Sequence, residues 1–124
     1  MAAVLNLLAA SFVFLCILKA GSAHCTLSDI AVSQSKTGAN VQGKPEYQVV
    51  IANNCICSQS SLLLKCSGFN SAEPVDPYVF KPVGGGQCSV NNEQPVFKGS
   101  DITFKYSWDS QFDLSPVSSL INCS

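Results

Sequence analysis

The cysteines carry the densest chemistry in the chain: Cys25, Cys55, Cys57, Cys66, Cys88 and Cys123, with a seventh, Cys16, inside an apolar N-terminal run. Thiols in this number can close disulfides, ligate a soft metal or run dithiol exchange. The spacing Cys55-Ile56-Cys57 bears on the choice. In an extended chain, residues two apart point to the same side, so a direct Cys55–Cys57 bond would need a tight reversal. Each is expected to reach a different partner, which ties two remote segments to one point. Without Cys16 the count is even, and an even count in a short secreted chain reads as a disulfide framework rather than a metal site or a reactive dithiol. Spacing alone does not choose among the possible pairings.

Other residue types offer less. The one histidine, His24, lies near a chain end, where a general base is poorly held. The eight carboxylates, Asp29, Glu46, Glu73, Asp76, Glu93, Asp101, Asp109 and Asp113, read as solvated surface, since no pair is marked as spanning a cleft. Gly84-Gly85-Gly86 lacks the Gly-Lys-Ser/Thr ending of a phosphate loop and reads as a connection. No catalytic set, cofactor site or metal site is expected, and so no enzyme. Asn122-Cys123-Ser124 fits the N-glycosylation pattern; low occupancy is expected, because its middle residue is expected in a disulfide. Tyr47, Tyr106 and Trp108 fall in phase with apolar neighbours, which favours a core role over a carbohydrate-stacking platform.

The elements that must position these residues are short alternating segments. Strands are expected over 29–35, 47–53, 61–66, 78–81 and 101–108, with edge pieces at 88–90 and 96–98. The expected core is Ile30, Val32, Val49, Ile51, Leu62, Leu64, Ile102 and Phe104. No segment after residue 24 sustains a helical apolar period. Polar breaks rich in Gly, Pro and Asn separate the strands, and residues 38–46, 70–77 and 82–87 are read as the exposed loops. Residues beyond 109 are read as an irregular tail fastened by Cys123. The pattern is that of an all-β fold, a small disulfide-stabilised antiparallel β-sandwich.

Composition agrees with a folded domain. Hydrophobic residues make up 47% and charged residues only 12% of 124 residues, the reverse of a disordered chain. From Leu5 to Leu18 the run is almost wholly apolar, followed by Ala20, Gly21, Ser22 and Ala23. This is the pattern of a secretory signal peptide cut after Ala23, too short for a spanning helix of roughly 20 residues. The expected organisation is residues 1–23 as signal peptide and residues 24–124 as one cysteine-rich domain. The mature part would hold six lysines and no arginine against eight acids, a net charge of −2. That balance disfavours nucleic acid and membrane surfaces as partners, and secretion to the extracellular space is expected.

Residues 25–123 resemble the plant tapetum determinant family of small secreted cysteine-rich proteins. The likeness rests on Cys25 with Ile30-Ala31-Val32-Ser33-Gln34, Thr37-Gly38, Gly43-Lys44-Pro45-Glu46-Tyr47-Gln48-Val49 and Ile51-Ala52-Asn53-Asn54-Cys55. It continues through Leu64-Lys65-Cys66, Gly68-Phe69, Val75-Asp76-Pro77, Cys88-Ser89-Val90-Asn91, Phe104-Lys105-Tyr106 and Cys123. The resemblance implies a secreted, non-enzymatic ligand of a leucine-rich-repeat receptor kinase ectodomain in the apoplast, of the kind that specifies tapetal cell fate in the anther. The alternative is a cell-wall carbohydrate-binding module on a similar sandwich. That alternative requires exposed rings at Tyr78, Tyr106 and Trp108.

Overall fold

The computed structural model describes residues 24–123; the expected signal peptide lies outside the described residues. Seven strands form two antiparallel sheets. They are β1 (Ile30–Val41), β2 (Lys44–Asn53), β3 (Ser58–Lys65), β4 (Phe80–Gly84), β5 (Gln87–Val90), β6 (Ile102–Ser107) and β7 (Ser115–Asn122). One sheet runs β1-β2-β6 and the other β4-β5-β3-β7. Two single-turn 3-10 segments, Leu27–Asp29 and Asn91–Glu93, are the only helical pieces among the described residues. The expected all-β sandwich is the fold.

The sheets face each other through side chains two apart on each strand. Tyr47, Val49 and Ile51 of β2, Leu62 and Leu64 of β3, and Phe104 and Tyr106 of β6 are buried together with Ile30, Phe80, Val90 and Val96. Of the eight expected core residues, Val32 and Ile102 are only partly buried against this cluster. Both lie on strands at the sheet edge, where one flank stays open. Phe80 and Phe104 stack across the two sheets with centroids 4.4 Å apart.

A bulge explains the phase of β3. Gln59 is buried, and so are Leu62 and Leu64, which cannot share a face under strict alternation. Ser61 takes a positive φ of 50° between register shifts against β7, and this extra residue switches the parity. Gln59 meets no unpaired cost inside: its Nε2 donates to the Thr26 carbonyl at 3.0 Å and its Oε1 accepts from Ser119 Oγ at 2.6 Å.

Several boundaries differ from the sequence reading, and β3 starts three residues early, at Ser58. β1 continues past Ser35 to Val41 and meets β2 at Lys44, so residues 38–46 form a hairpin rather than a loop. The polar Lys36 to Asn40 stretch is exposed, with its ends paired to Tyr47 and Pro45 and an irregularity between them. β4 starts at Phe80 and runs to Gly84, which leaves a tight turn at Gly85-Gly86 in place of a loop over 82–87. Both glycines have positive φ, which glycine adopts without steric cost. Within 96–98 only Val96 pairs, through an isolated bridge to Gln59. The tail is a full strand, β7, paired with β3.

Candidate recognition surface

Six cysteines make three bonds: Cys25–Cys55, Cys57–Cys123 and Cys66–Cys88, with Cα separations of 5.7, 4.5 and 5.9 Å. Cys55 and Cys57 thus go to different partners. The first two bonds bring the segment before β1, the β2–β3 turn and the end of β7 to one pole of the sandwich. Asn53 knits the same turn: its Nδ2 donates to the Cys57 and Val96 carbonyls at 2.8 and 2.9 Å, while its Oδ1 accepts from the Cys55 amide at 3.0 Å. Ile56, between the two cysteines, stands 76% exposed. With every thiol of these groupings consumed in a bond, the near approaches of Cys25, Cys57 and Cys123, and of Cys25, Asp29 and Cys55, offer no thiolate for a metal.

The longest excursion from the sheets is residues 66–79, between β3 and β4. It crosses from the end of β3 to the β6 edge and returns to β4. The Ala72 amide donates to the Ser107 carbonyl at 2.8 Å, and the Ser107 amide donates to Ser71 Oγ at 3.0 Å. Asp76 closes its other end, accepting from the Tyr78 amide at 2.9 Å through its carboxylate. Asp76 before Pro77 therefore serves a turn, as Asp does when it bonds the backbone two residues on. Phe69 anchors the middle, with ring centroids 5.1 Å from Phe80 and 5.3 Å from Tyr106. Between this excursion and β4 lies an open cleft of about 300 Å³, walled by Phe69, Glu73, Pro74, Pro77, Lys81 and Pro82. Tyr78, adjacent in sequence to the lining Pro77, is 50% exposed.

Two carboxylates depart from the surface role expected of all eight. Glu46 is only 8% exposed, and Thr37 Oγ1 donates to its Oε1 at 2.7 Å. Ser107 Oγ donates to Glu73 Oε1 at 3.1 Å, and Ser107 is the register partner of Glu46 between β2 and β6. The Thr37 hydroxyl and then Glu73 hold Glu46 below the ordinary carboxylate value. Burial, then the neighbouring Glu46 carboxyl, push Glu73 above it. Alternation along β2 puts Tyr47, Val49 and Ile51 inside and Glu46 on the opposite face. Glu46 is buried there even so, with Thr37 donating to it and Ser107 opposite it, and no local signal announces that.

The aromatic residues do not form a stacking platform. Tyr106 is fully buried; its hydroxyl bonds Gln34 Oε1 and accepts from the Phe112 amide at 3.0 Å, and burial raises its pKa. Trp108 is partly buried against the core, with Lys44 Nζ 4.7 Å above its ring and Phe112 stacked at 6.4 Å. Of the three rings that a carbohydrate module would need, Tyr78 alone is exposed.

The family model described as "Tapetum determinant 1, C-terminal" matches residues 26–124. The chain belongs to this family. Among curated tapetum determinant relatives, TPD1 protein homolog 1 of Arabidopsis thaliana is 32% identical over 96 residues, covering 76% of this chain and 54% of the relative. TPD1 protein homolog 1A of Oryza sativa subsp. japonica is 30% identical over 95 residues, covering 70% and 42%. An uncharacterized protein of Arabidopsis thaliana is 34% identical over 85 residues, covering 66% of this chain and 65% of its own. The chain thus spans about half the length of the tapetum determinant homologues it matches. No solved structure matches it. Among the described residues, no helix is long and apolar enough to cross a membrane.

Proposed function

We propose that this tapetum determinant protein is a secreted, non-enzymatic signalling ligand, read by the ectodomain of a leucine-rich-repeat receptor kinase. Residues 1–23 act as the signal peptide and residues 24–124 as the ligand. The observation that carries the reading is the family match across the whole cysteine-rich domain. The architecture fits it. Three disulfides and a packed two-sheet core leave little conformational freedom to lose on docking. The surface assigned to the receptor is the 66–79 excursion with its cleft and the exposed Tyr78, because an aromatic next to a preformed groove is the usual anchor of a protein interface. With a mature net charge of −2 and no arginine, affinity rests on shape and apolar contact more than on long-range charge.

Secreted protein should begin at or near His24 on N-terminal sequencing and should bind at least one member of a panel of receptor-kinase ectodomains. Tyr78→Ala should weaken that binding by about tenfold or more, in line with loss of an aromatic anchor, while thermal stability stays unchanged. Retention of residues 5–18 in a membrane fraction, or wild-type affinity in the Tyr78 variant, would sink the corresponding part of the reading.

A further inference from the structure

The end of β7 holds features that the recognition reading leaves unused. The strand closes on Asn122, which stands in the Asn122-Cys123-Ser124 pattern that accepts N-linked oligosaccharide. Over its last four residues β7 alternates cleanly. Ser119 and Ile121 are partly buried, and Ser119 Oγ donates to Oε1 of the buried Gln59 at 2.6 Å. Leu120 and Asn122 are exposed and share the outer face of the β4-β5-β3-β7 sheet. Leu120 is 64% exposed, a large apolar side chain left bare two residues before the acceptor. Its register partner on β3 is Ser60, and that of Asn122 is Ser58, so small side chains floor this part of the face. On the other flank of β3, Val96 exchanges both backbone hydrogen bonds with Gln59, and the next residue, Phe97, is 55% exposed.

We propose that Asn122 is an N-glycosylation site, that it is used before the Cys57–Cys123 bond closes, and that its first sugars then lie on the outer face over Leu120. The acceptor chemistry sets the order. The Asn122 amide nitrogen bonds the anomeric carbon of a lipid-pyrophosphate-linked oligosaccharide, loses one proton to a base of the transferase, and the lipid pyrophosphate leaves. That reaction needs the pattern as a free, bendable stretch, with the hydroxyl two residues on brought round to the amide. In the folded domain Asn122 is paired with Ser58 in the sheet and Cys123 is bonded to Cys57, so the stretch is pinned and extended. Bridge closure and sugar transfer thus compete for one segment, and partial occupancy results.

Once attached, the sugars are accommodated. Asn122 is exposed, and glycans are carried at the surface. A pyranose ring presents a face of C–H groups, which takes part of the Leu120 side chain out of water. β7 is also an edge of its sheet, and a bulky group on an edge strand hinders pairing with a second chain.

The proposal rests on the secretion proposed above, and the test separates the two. The full chain, with its own residues 1–23, is expressed in plant cells, and intact masses and peptide maps are taken of secreted and cell-retained protein. A fraction of the secreted wild type should carry added oligosaccharide mass on the peptide that holds Asn122; Asn122→Gln and Ser124→Ala should lack it. Replacing Cys57 and Cys123 together by serine keeps an Asn-Ser-Ser acceptor and removes the bridge. Occupancy, counted over secreted and retained protein together, should then rise to near completion. Leu120 is read by melting. Glycosylated wild type, isolated on a lectin column, should melt about 2–4 °C above Asn122→Gln, the shift from covering part of one leucine in a domain of this size. In a Leu120→Ser background that difference should vanish. Secreted wild type without the oligosaccharide would overturn the site and leave secretion standing, whereas an unmodified full-length chain kept in the cell would overturn both. Equal occupancy with and without the bridge would overturn the order of events, and an unchanged melting difference in the Leu120→Ser background would overturn the contact.

Discussion

Two connections leave the two ends of β3 and are held by opposite means. The β2–β3 turn before it is fixed covalently: Cys55 and Cys57 are both bonded to remote cysteines, and Asn53 bonds the surrounding backbone. The 66–79 excursion after it is covalent only at its first residue, Cys66. Beyond that it is held by the packing of Phe69, Val75 and Val79 against the core and by the hydrogen bonds that Ala72, Ser71 and Glu73 make with Ser107. Disulfides hold until they are reduced, while hydrogen bonds and apolar packing open locally. The first region can therefore serve as a fixed pole and the second as the adjustable one, which is why recognition is assigned to the second.

The comparison can be broken most severely at its covalent side. Replacing Cys57 and Cys123 together by serine opens a link spanning 66 residues and should cost about 4 kcal/mol by loop-closure entropy. Opening Cys66–Cys88, which spans 22 residues, should cost about 3 kcal/mol. Denaturant unfolding with thermal melts would rank the two; equal or reversed costs would mean that the pole is not the stronger tie. Phe69→Ala comes next. Its ring is partly buried against the core and should be worth about 2–3 kcal/mol, somewhat below a fully buried phenylalanine. Its loss should raise amide exchange across 66–79 while exchange around Asn53 stays as before. A loss spread evenly over both regions would erase the distinction drawn between them. The smallest effect belongs to Ile56→Ser. The side chain is exposed between two bridged cysteines, so stability should move by less than about 0.5 kcal/mol, and a melt with intact disulfides checks it.

What could be read in the sequence follows from where the physical cause lies. β2, β3 and β6 alternate because one face of each is packed, and Val49, Ile51, Leu64 and Phe104 announce that locally. β7 was hidden because Ser115-Pro116-Val117-Ser118-Ser119 carries little apolar alternation; its pairing with β3 and the Cys57–Cys123 bond define it. The continuation of β1 through Lys36 to Asn40 was hidden for a related reason, being an exposed edge stretch whose ends alone are fixed by register with β2. Glu46 is the sharpest case. Its position in β2 reads as solvent-facing, yet it is buried, with Thr37 donating to it and Ser107 of β6 opposite it, partners that strand alternation does not announce. The separate destinations of Cys55 and Cys57 follow from strand geometry, whereas the choice of Cys25 and Cys123 as those destinations needed the fold.

Trp108 is the one tryptophan in the chain. It directly follows Ser107, the residue that Glu73 and Ala72 grip, and its own amide donates to the Pro45 carbonyl at 3.3 Å, next to Glu46. The Lys44 ammonium lies over its ring. Indole emission responds to nearby charge and to hydration, so a single native fluorophore sits beside the junction of the 66–79 excursion with β6 and needs no label. The protein carries its own optical gauge where the excursion meets β6, at the opposite end of β2 from the disulfide pole.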